Sequence, residues 1–151
     1  MTRNTAREIA THLAYELSFT ELSVKDFLDT RLSEESFAAL AEEYELYETT
    51  PNTKQDQYIR RLVSGVADHA AELDTYIEKY AKGWRFERIS LVASAIMRVA
   101  MFEILYMPDV PNGVAINEAV ELAARYSEPA SGRFINGVLG TILRRKEAEQ
   151  A

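Results

Sequence analysis

Arg133 and Phe134 stand side by side in the C-terminal quarter of the chain. A guanidinium that neutralises a phosphate, next to a ring that can stack a base, suits single-stranded RNA. The competing reading puts Phe134 in the core and Arg133 in solvent, and periodicity alone favours it. Arg3 and Arg7, with Tyr15 further on, make a thin basic edge on the first helical segment. Cations at a helix N-terminus oppose the macrodipole, a small cost that contact with a phosphate can offset. A merely solvated face is the alternative. Lys79, Lys82, Arg85 and Arg88 cluster around Gly83 and read as ordinary surface.

A second group is polar inside an apolar stretch. Asn117 and Glu118 lie mid-helix among Val114, Ala115, Ile116, Ala119, Val120, Leu122 and Ala123. Such a helix is apolar over much of its circumference and belongs inside a bundle. Buried carboxylates and amides must be paired. The expectation is a structural polar cluster in which Glu118 pairs with Arg98 and clamps adjacent helices. A ligand or catalytic role has less support, because no histidine or second carboxylate stands at metal-binding spacing. Gly137-Val138-Leu139-Gly140 has the letters of a phosphate loop, but its apolar helical setting predicts close helix packing instead.

Other chemistries are excluded by composition. The chain has no cysteine, and His12 and His69 are its only histidines. Disulfides, thiolate zinc sites and cysteine nucleophiles are ruled out, and a catalytic triad nearly so. No dinucleotide fingerprint, Walker loop or nucleophile elbow occurs. No catalytic residue, metal or cofactor site is expected from these motif classes.

The elements that must carry these residues are helical. Of 151 residues, 47% are hydrophobic and 27% charged, with only 6 glycines and 4 prolines. No segment alternates apolar and polar residues as a half-buried strand would. Ala6, Ile9, Ala10, Leu13 and Leu17 give one face to a helix from about residue 3 to Phe19. Ser23 is an N-cap candidate for a short second helix. A third is expected from Glu34 to about Tyr47. Glu48 to Thr53 contains Pro51 and breaks the pattern. Thr53 then caps a long helix predicted to reach about Ala81. Helices ending near Met107, over 113–126, and from Ser127-Glu128-Pro129 to Arg144 or Arg145 follow. The reading is an all-α bundle of about seven helices in two small subdomains, 1–50 and 51–151.

Charge is uneven. Residues 1–75 carry 7 basic and 15 acidic side chains, whereas residues 76–151 carry 10 and 9. An acidic balance argues against a broad, non-specific nucleic-acid binder and leaves room for a local patch that reads a short RNA or a basic protein. No apolar run approaches a membrane span. Glu8, Thr11, His12 and Glu16 interrupt any signal-peptide core. A cytoplasmic location is expected.

Three blocks together carry a family. Asp109-Val110-Pro111, then Val114 through Ala123 (VAINEAVELA), then Arg133-Phe134-Ile135-Asn136-Gly137-Val138-Leu139 closely resemble the bacterial NusB transcription antitermination family. Ile96-Met97-Arg98-Val99-Ala100 with Glu103-Ile104-Leu105 is similar to its L-R-x-A-x-x-E-L segment. Ala6-Arg7-Glu8 with Ala10 and Tyr15 is similar to its start. The resemblance implies two helical subdomains and a non-enzymatic RNA-binding function. It implies pairing with NusE, a small-subunit ribosomal protein, on the boxA element of nascent RNA. That assembly would help an RNA polymerase elongation complex read through terminators, notably on ribosomal RNA operons. By position, Arg3, Arg7, Tyr15, Arg133 and Phe134 map onto RNA-facing places, and Glu87 and Tyr126 onto places that meet NusE. Asn4 and Thr5 occupy positions where the family commonly has arginine. Fewer cations release fewer counterions, which implies weaker RNA binding by the protein alone.

Two alternatives keep the fold and change the role. One is a NusB-like module associated with a ribosomal RNA methyltransferase. The other is a helical self-association module without RNA binding.

Overall fold

The computed structural model describes residues 1–81 and 90–150. Among these, eight α-helices and one short 3-10 turn form two compact units, Met1–Ala67 and Asp68–Ala151, with no strand. The all-α expectation therefore holds, with one helix more than the number expected.

The first unit contains α1 (Arg3–Leu17), α2 (Val24–Arg31), α3 (Glu34–Ala41), the 3-10 turn Glu45–Tyr47, and α4 (Thr53–Asp68). Side chains close the helix starts as small hydroxyls and amides do elsewhere. Ser23 accepts from the Asp26 amide and Ser33 from the Ser36 amide, each at 3.1 Å. At α4 the cap is Asn52 rather than Thr53. Its Oδ1 accepts from the Gln55 amide and the Gln55 Oε1 accepts from the Asn52 amide, both at 2.9 Å. This reciprocal pair satisfies two donors that a lone threonine could not.

Ile9, Leu13, Phe27, Leu28, Phe37, Ile59, Leu62 and Val63 fill the core of this unit. α3 ends earlier than periodicity suggested because Tyr44 takes an extended conformation. That turn carries the Tyr47 ring inward, edge-on to Phe37 at 5.2 Å, with its hydroxyl 3.1 Å from His12 Nδ1. Arg31 ties three helices together. It donates to both Glu16 carboxylate oxygens at 2.7 and 3.0 Å and to Ser36 Oγ at 2.9 Å.

The second unit contains α5 (Ala70–Tyr80), α6 (Leu91–Tyr106), α7 (Asn112–Tyr126) and α8 (Pro129–Gln150). α4 and α5 were expected as one helix. His69 leaves the helical conformation and divides them, and the apolar spacing continues across it, so the sequence carries no break signal there. The boundary between units accordingly falls after Ala67, not at residue 50. α4 belongs with α1 and α2: Gln55 Nε2 donates to the Met1 carbonyl, and Arg60 donates to Asp29 at 2.7 Å.

α6 is the most enclosed helix, with Ile96, Met97, Met101 and Ile104 fully inside. Ser90 caps it through the Ala93 amide at 3.1 Å. Ile135, Val138, Leu139 and Ile142 make the buried stripe of α8. α8 continues past Arg145, the end expected from the sequence, to Gln150; Lys146 Nζ donates to the Ile104 carbonyl and pins the last turns. Gly137, expected at a close helix contact, is exposed, and a Cβ there would meet nothing within 4 Å.

The expected polar cluster of Arg98, Asn117 and Glu118 does not form. Arg98 reaches α5 instead and donates to Asp74 at 2.6 and 2.9 Å. Asn117 is exposed and Glu118 only half-buried. α7 buries Ala115, Ile116, Ala119, Leu122 and Ala123, and the 117–118 pair lies away from that face. The fully buried carboxylate of the unit is Glu103 in α6, 0% exposed.

Candidate functional site

The first candidate surface lies where α1 and α4 begin. Arg3 is exposed, and its guanidinium carbon sits 4.4 Å from the centroid of the Tyr58 ring, a cation–π contact. Arg7 lies one turn on, 5.9 Å from the same ring. It is only 2% exposed, and its Nη1 donates to Asn4 Oδ1 at 2.8 Å. The two arginines therefore differ: Arg3 is offered to solvent and Arg7 braces the helix. Beside them is an open groove of about 220 Å3, lined by Arg3, Ala6, Asn52, Lys54, Gln55 and Tyr58. Tyr15, further along α1, is half-buried and edge-on to Phe19 at 5.2 Å. Phe19 is among the most exposed apolar side chains of the protein.

A second surface lies in the other unit, where α7 ends and α8 begins. Pro129 starts α8, a position where its missing N–H costs nothing. The Ser127 hydroxyl donates to Ser131 Oγ at 3.0 Å across the turn. An open groove of about 450 Å3 runs here, and Arg125, Tyr126, Ser127, Ser131 and Phe134 line it together with the start of α6 at Ser90. Tyr126 is 43% exposed. Phe134 is half-buried, between the two placements weighed from sequence. Arg133 is exposed and makes no ion pair among the described residues. A cation free of carboxylates beside a partly open ring can neutralise a phosphate while the ring meets a base.

The structure thus gathers Tyr126 and Phe134 into one groove, and Arg3 with Arg7 around one ring. It does not bring Tyr15 to either groove. Glu87 lies outside the described residues, as do Lys82, Arg85 and Arg88; Lys79 is exposed with its Nζ 5.3 Å from the Tyr80 ring. Sequence reasoning missed Tyr58, Lys54 and Arg125. Arg125-Tyr126 repeats the cation–aromatic doublet of Arg133-Phe134 and could have been found that way. Nothing local marked Tyr58, which reads as one more apolar position of α4. Among the described residues no cluster of histidine and carboxylate side chains could hold a metal ion, and no helix is long and apolar enough to cross a membrane.

Comparison with known proteins covers almost the whole chain. The model of the NusB family matches residues 4–144. The transcription antitermination protein NusB of Acetivibrio thermocellus is 42% identical, spanning 97% of this chain and 91% of its own length. That of Symbiobacterium thermophilum is 39% identical over 95% and 90%. Among solved structures, T. maritima NusB superimposes with a TM-score of 0.73 at 27% identity, covering 100% of this chain and 99% of that one. A chain in the crystal structure of a plectonemic RNA supercoil gives 0.70 at 27% identity, with 95% of each covered. The similarity runs through both units and takes in all three sequence blocks singled out above, so the chain belongs to the NusB family.

Proposed function

We propose that this protein is a transcription antitermination factor that binds single-stranded RNA as one half of a heterodimer with NusE. It is a binding protein, not an enzyme. The observation that carries the reading is the α7–α8 groove, lined by Phe134 and Tyr126, with the exposed Arg133, which makes no ion pair among the described residues, next to Phe134 in the chain. Its RNA is boxA-like, on the nascent transcripts of ribosomal RNA operons, and the complex acts on the RNA polymerase elongation complex in the cytoplasm. Phe134 stacks a base; Arg133 and Arg3 neutralise phosphates; Tyr126 and Glu87 belong to the NusE contact. Tyr15 is assigned to RNA with its neighbour Phe19 as a second aromatic. Arg7 contributes indirectly, by holding the start of α1 through Asn4.

The net charge of −7 suits a basic protein partner, because opposite potentials steer the encounter. It also means that the protein alone has little electrostatic purchase on RNA. Titration of a labelled boxA-like RNA with the protein, with NusE, and with both tests the reading. The pair should bind at least tenfold tighter than this protein alone, equivalent to ~1.4 kcal/mol of coupling. Binding of the isolated chain that is as tight as the pair and steeply salt-dependent would contradict it.

A further inference from the structure

We propose that the outward stripe of α8 carries the RNA backbone onward from the Phe134 groove, with Gly137 as the point of close approach and Arg144 holding a phosphate about three turns beyond Arg133. The proposal rests on the RNA-binding reading above. It deepens that reading by giving the strand a path, and it uses two residues, Gly137 and Arg144, that have no role so far.

The stripe follows from helical spacing. Positions 133, 137, 140 and 144 recur at intervals of four, three and four, so they fall on one face of α8, over about 16 Å of its axis. Arg133, Gly137 and Arg144 are exposed there and Gly140 is half-buried. From Pro129 to Lys146 the helix holds Arg133, Arg144, Arg145 and Lys146 and not one carboxylate. No other stretch of the chain runs as long without an acid, although the whole carries a net charge of −7. Such a face suits a polyanion.

Arg144 is held along the stripe. Its Nη2 donates to Thr141 Oγ1 at 3.1 Å, and the Thr141 hydroxyl in turn donates to the Gly137 carbonyl at 2.9 Å. This chain of bonds draws the guanidinium back toward the start of the helix, over Gly140, where an added Cβ would lie 3.4 Å from Nη1. Glu147 stands one turn on, at a spacing that allows an ion pair, yet Arg144 makes none among the described residues. The guanidinium keeps its charge for an oxyanion.

Gly137 needs a reason of its own. Glycine destabilises a helix interior relative to alanine, and nothing within the protein asks for it here, since a Cβ would meet no atom within 4 Å. On an exposed face a missing side chain leaves room for another chain to lie against the helix backbone. Continuity decides which chain. Arg133 begins the stripe and adjoins Phe134, which lines the groove assigned to a base. A strand that leaves that groove along α8 meets Arg133, Gly137 and Arg144 in turn. A phosphate backbone is the chemistry that matches cations separated by a bare stretch of helix.

The NusE pair is titrated onto a labelled boxA-like RNA with four uridines added at each end, between 50 and 200 mM salt. Wild-type protein, Arg144→Gln, Gly137→Ala, Gly137→Leu and Phe134→Ala are compared, and each is also melted alone and titrated with NusE without RNA. Loss of one phosphate contact lowers the salt slope by about 0.7 on a single strand, so across this range the wild type should lose about 2.6-fold more affinity than Arg144→Gln. Scrambling the RNA should leave that difference unchanged, because phosphate contacts position rather than specify. Gly137→Ala should raise the Tm, and Gly137→Leu should melt no lower than wild type, since both are better helix formers with nothing in their way. Both should nonetheless weaken RNA binding, leucine severalfold, and neither they nor Arg144→Gln should change affinity for NusE alone. A wild-type salt slope in Arg144→Gln, or undiminished RNA binding by Gly137→Leu, with binding still lost in Phe134→Ala, would overturn the path along α8 and leave the RNA-binding reading standing. Weaker NusE binding by Arg144→Gln or Gly137→Leu in the absence of RNA would assign the stripe to a protein and overturn the RNA occupant. No RNA binding by the wild-type pair would overturn both.

Discussion

Replacing Asp74 by alanine removes the carboxylate that anchors Arg98 to α5 and measures what replaced the expected Glu118 contact. The two side chains meet through two parallel bonds, 2.6 and 2.9 Å long, between α5 and α6. Arg98 is 19% exposed and Asp74 28%. A fully buried pair loses ~3–5 kcal/mol when one partner is deleted, and a surface pair is worth ~0–1 kcal/mol. This pair lies between those limits, and its double bond geometry favours the upper part. We expect Asp74→Ala to cost ~2 kcal/mol. At this chain length that is a fall in Tm of ~4–8 °C. Arg98→Met should cost a similar amount, and the double variant should cost little more than either single one. The coupling energy from that cycle should be ~1.5 kcal/mol. A parallel cycle of Glu118→Ala with Arg98→Met should give coupling near zero, with Glu118→Ala alone costing under ~1 kcal/mol. Urea melts followed by circular dichroism provide the numbers. Coupling below about 0.5 kcal/mol for Asp74–Arg98, or a larger value for Glu118–Arg98, would refute the reasoning.

Phe134→Ala should weaken RNA binding of the NusE pair by ~1–3 kcal/mol and lower stability by less than the ~3–5 kcal/mol of a core phenylalanine, since the ring is half-buried; a titration beside a melt separates the two effects. Arg7→Ala should cost ~1–3 kcal/mol of stability, through the lost Asn4 bond and a buried site left unfilled, whereas Arg3→Ala, at an exposed cation–π contact, should cost less than Arg7→Ala and weaken RNA binding. Tyr106 donates to Glu72 Oε1 at 2.6 Å, and that bond, with desolvation and the carboxylate charge, holds its phenol up at about 12. The folded value is raised above the unfolded one, near 10, so this contribution is complete below pH 10 and is lost as pH climbs through 12. In a spectrophotometric phenol titration the group that titrates at about 12 should therefore move down in Glu72→Gln.

Helix starts were the most legible part of the chain. Ser23 caps α2 as its sequence context predicted, and α3 begins at Glu34 as expected. These are local events, in which a hydroxyl two or three residues from an orphan amide decides the outcome. The α4–α5 division was not legible, because the apolar spacing runs on through Leu62, Val66, Leu73 and Ile77 while the backbone turns at His69. Partner choice was not legible either. Arg98 had acids available at several helical distances, and only packing of α5 on α6 selects Asp74. Periodicity placed Asn117 and Glu118 inside because their neighbours are apolar, yet α7 buries only one stripe and leaves that pair off it. For the candidate site, the doublet Arg133-Phe134 was visible as letters, but the groove that Phe134 shares with Tyr126 depends on the α7–α8 turn. Tyr58 became meaningful only once α1 lay across it.

The central claim is tested most directly by fluorescence anisotropy of a labelled boxA-like RNA, titrated at physiological salt with this protein, with NusE, and with an equimolar mixture. The account predicts weak binding by this protein alone and at least tenfold tighter binding by the mixture, falling with scrambled RNA and in Phe134→Ala. Equal binding with and without NusE, or indifference to the RNA sequence, would contradict it.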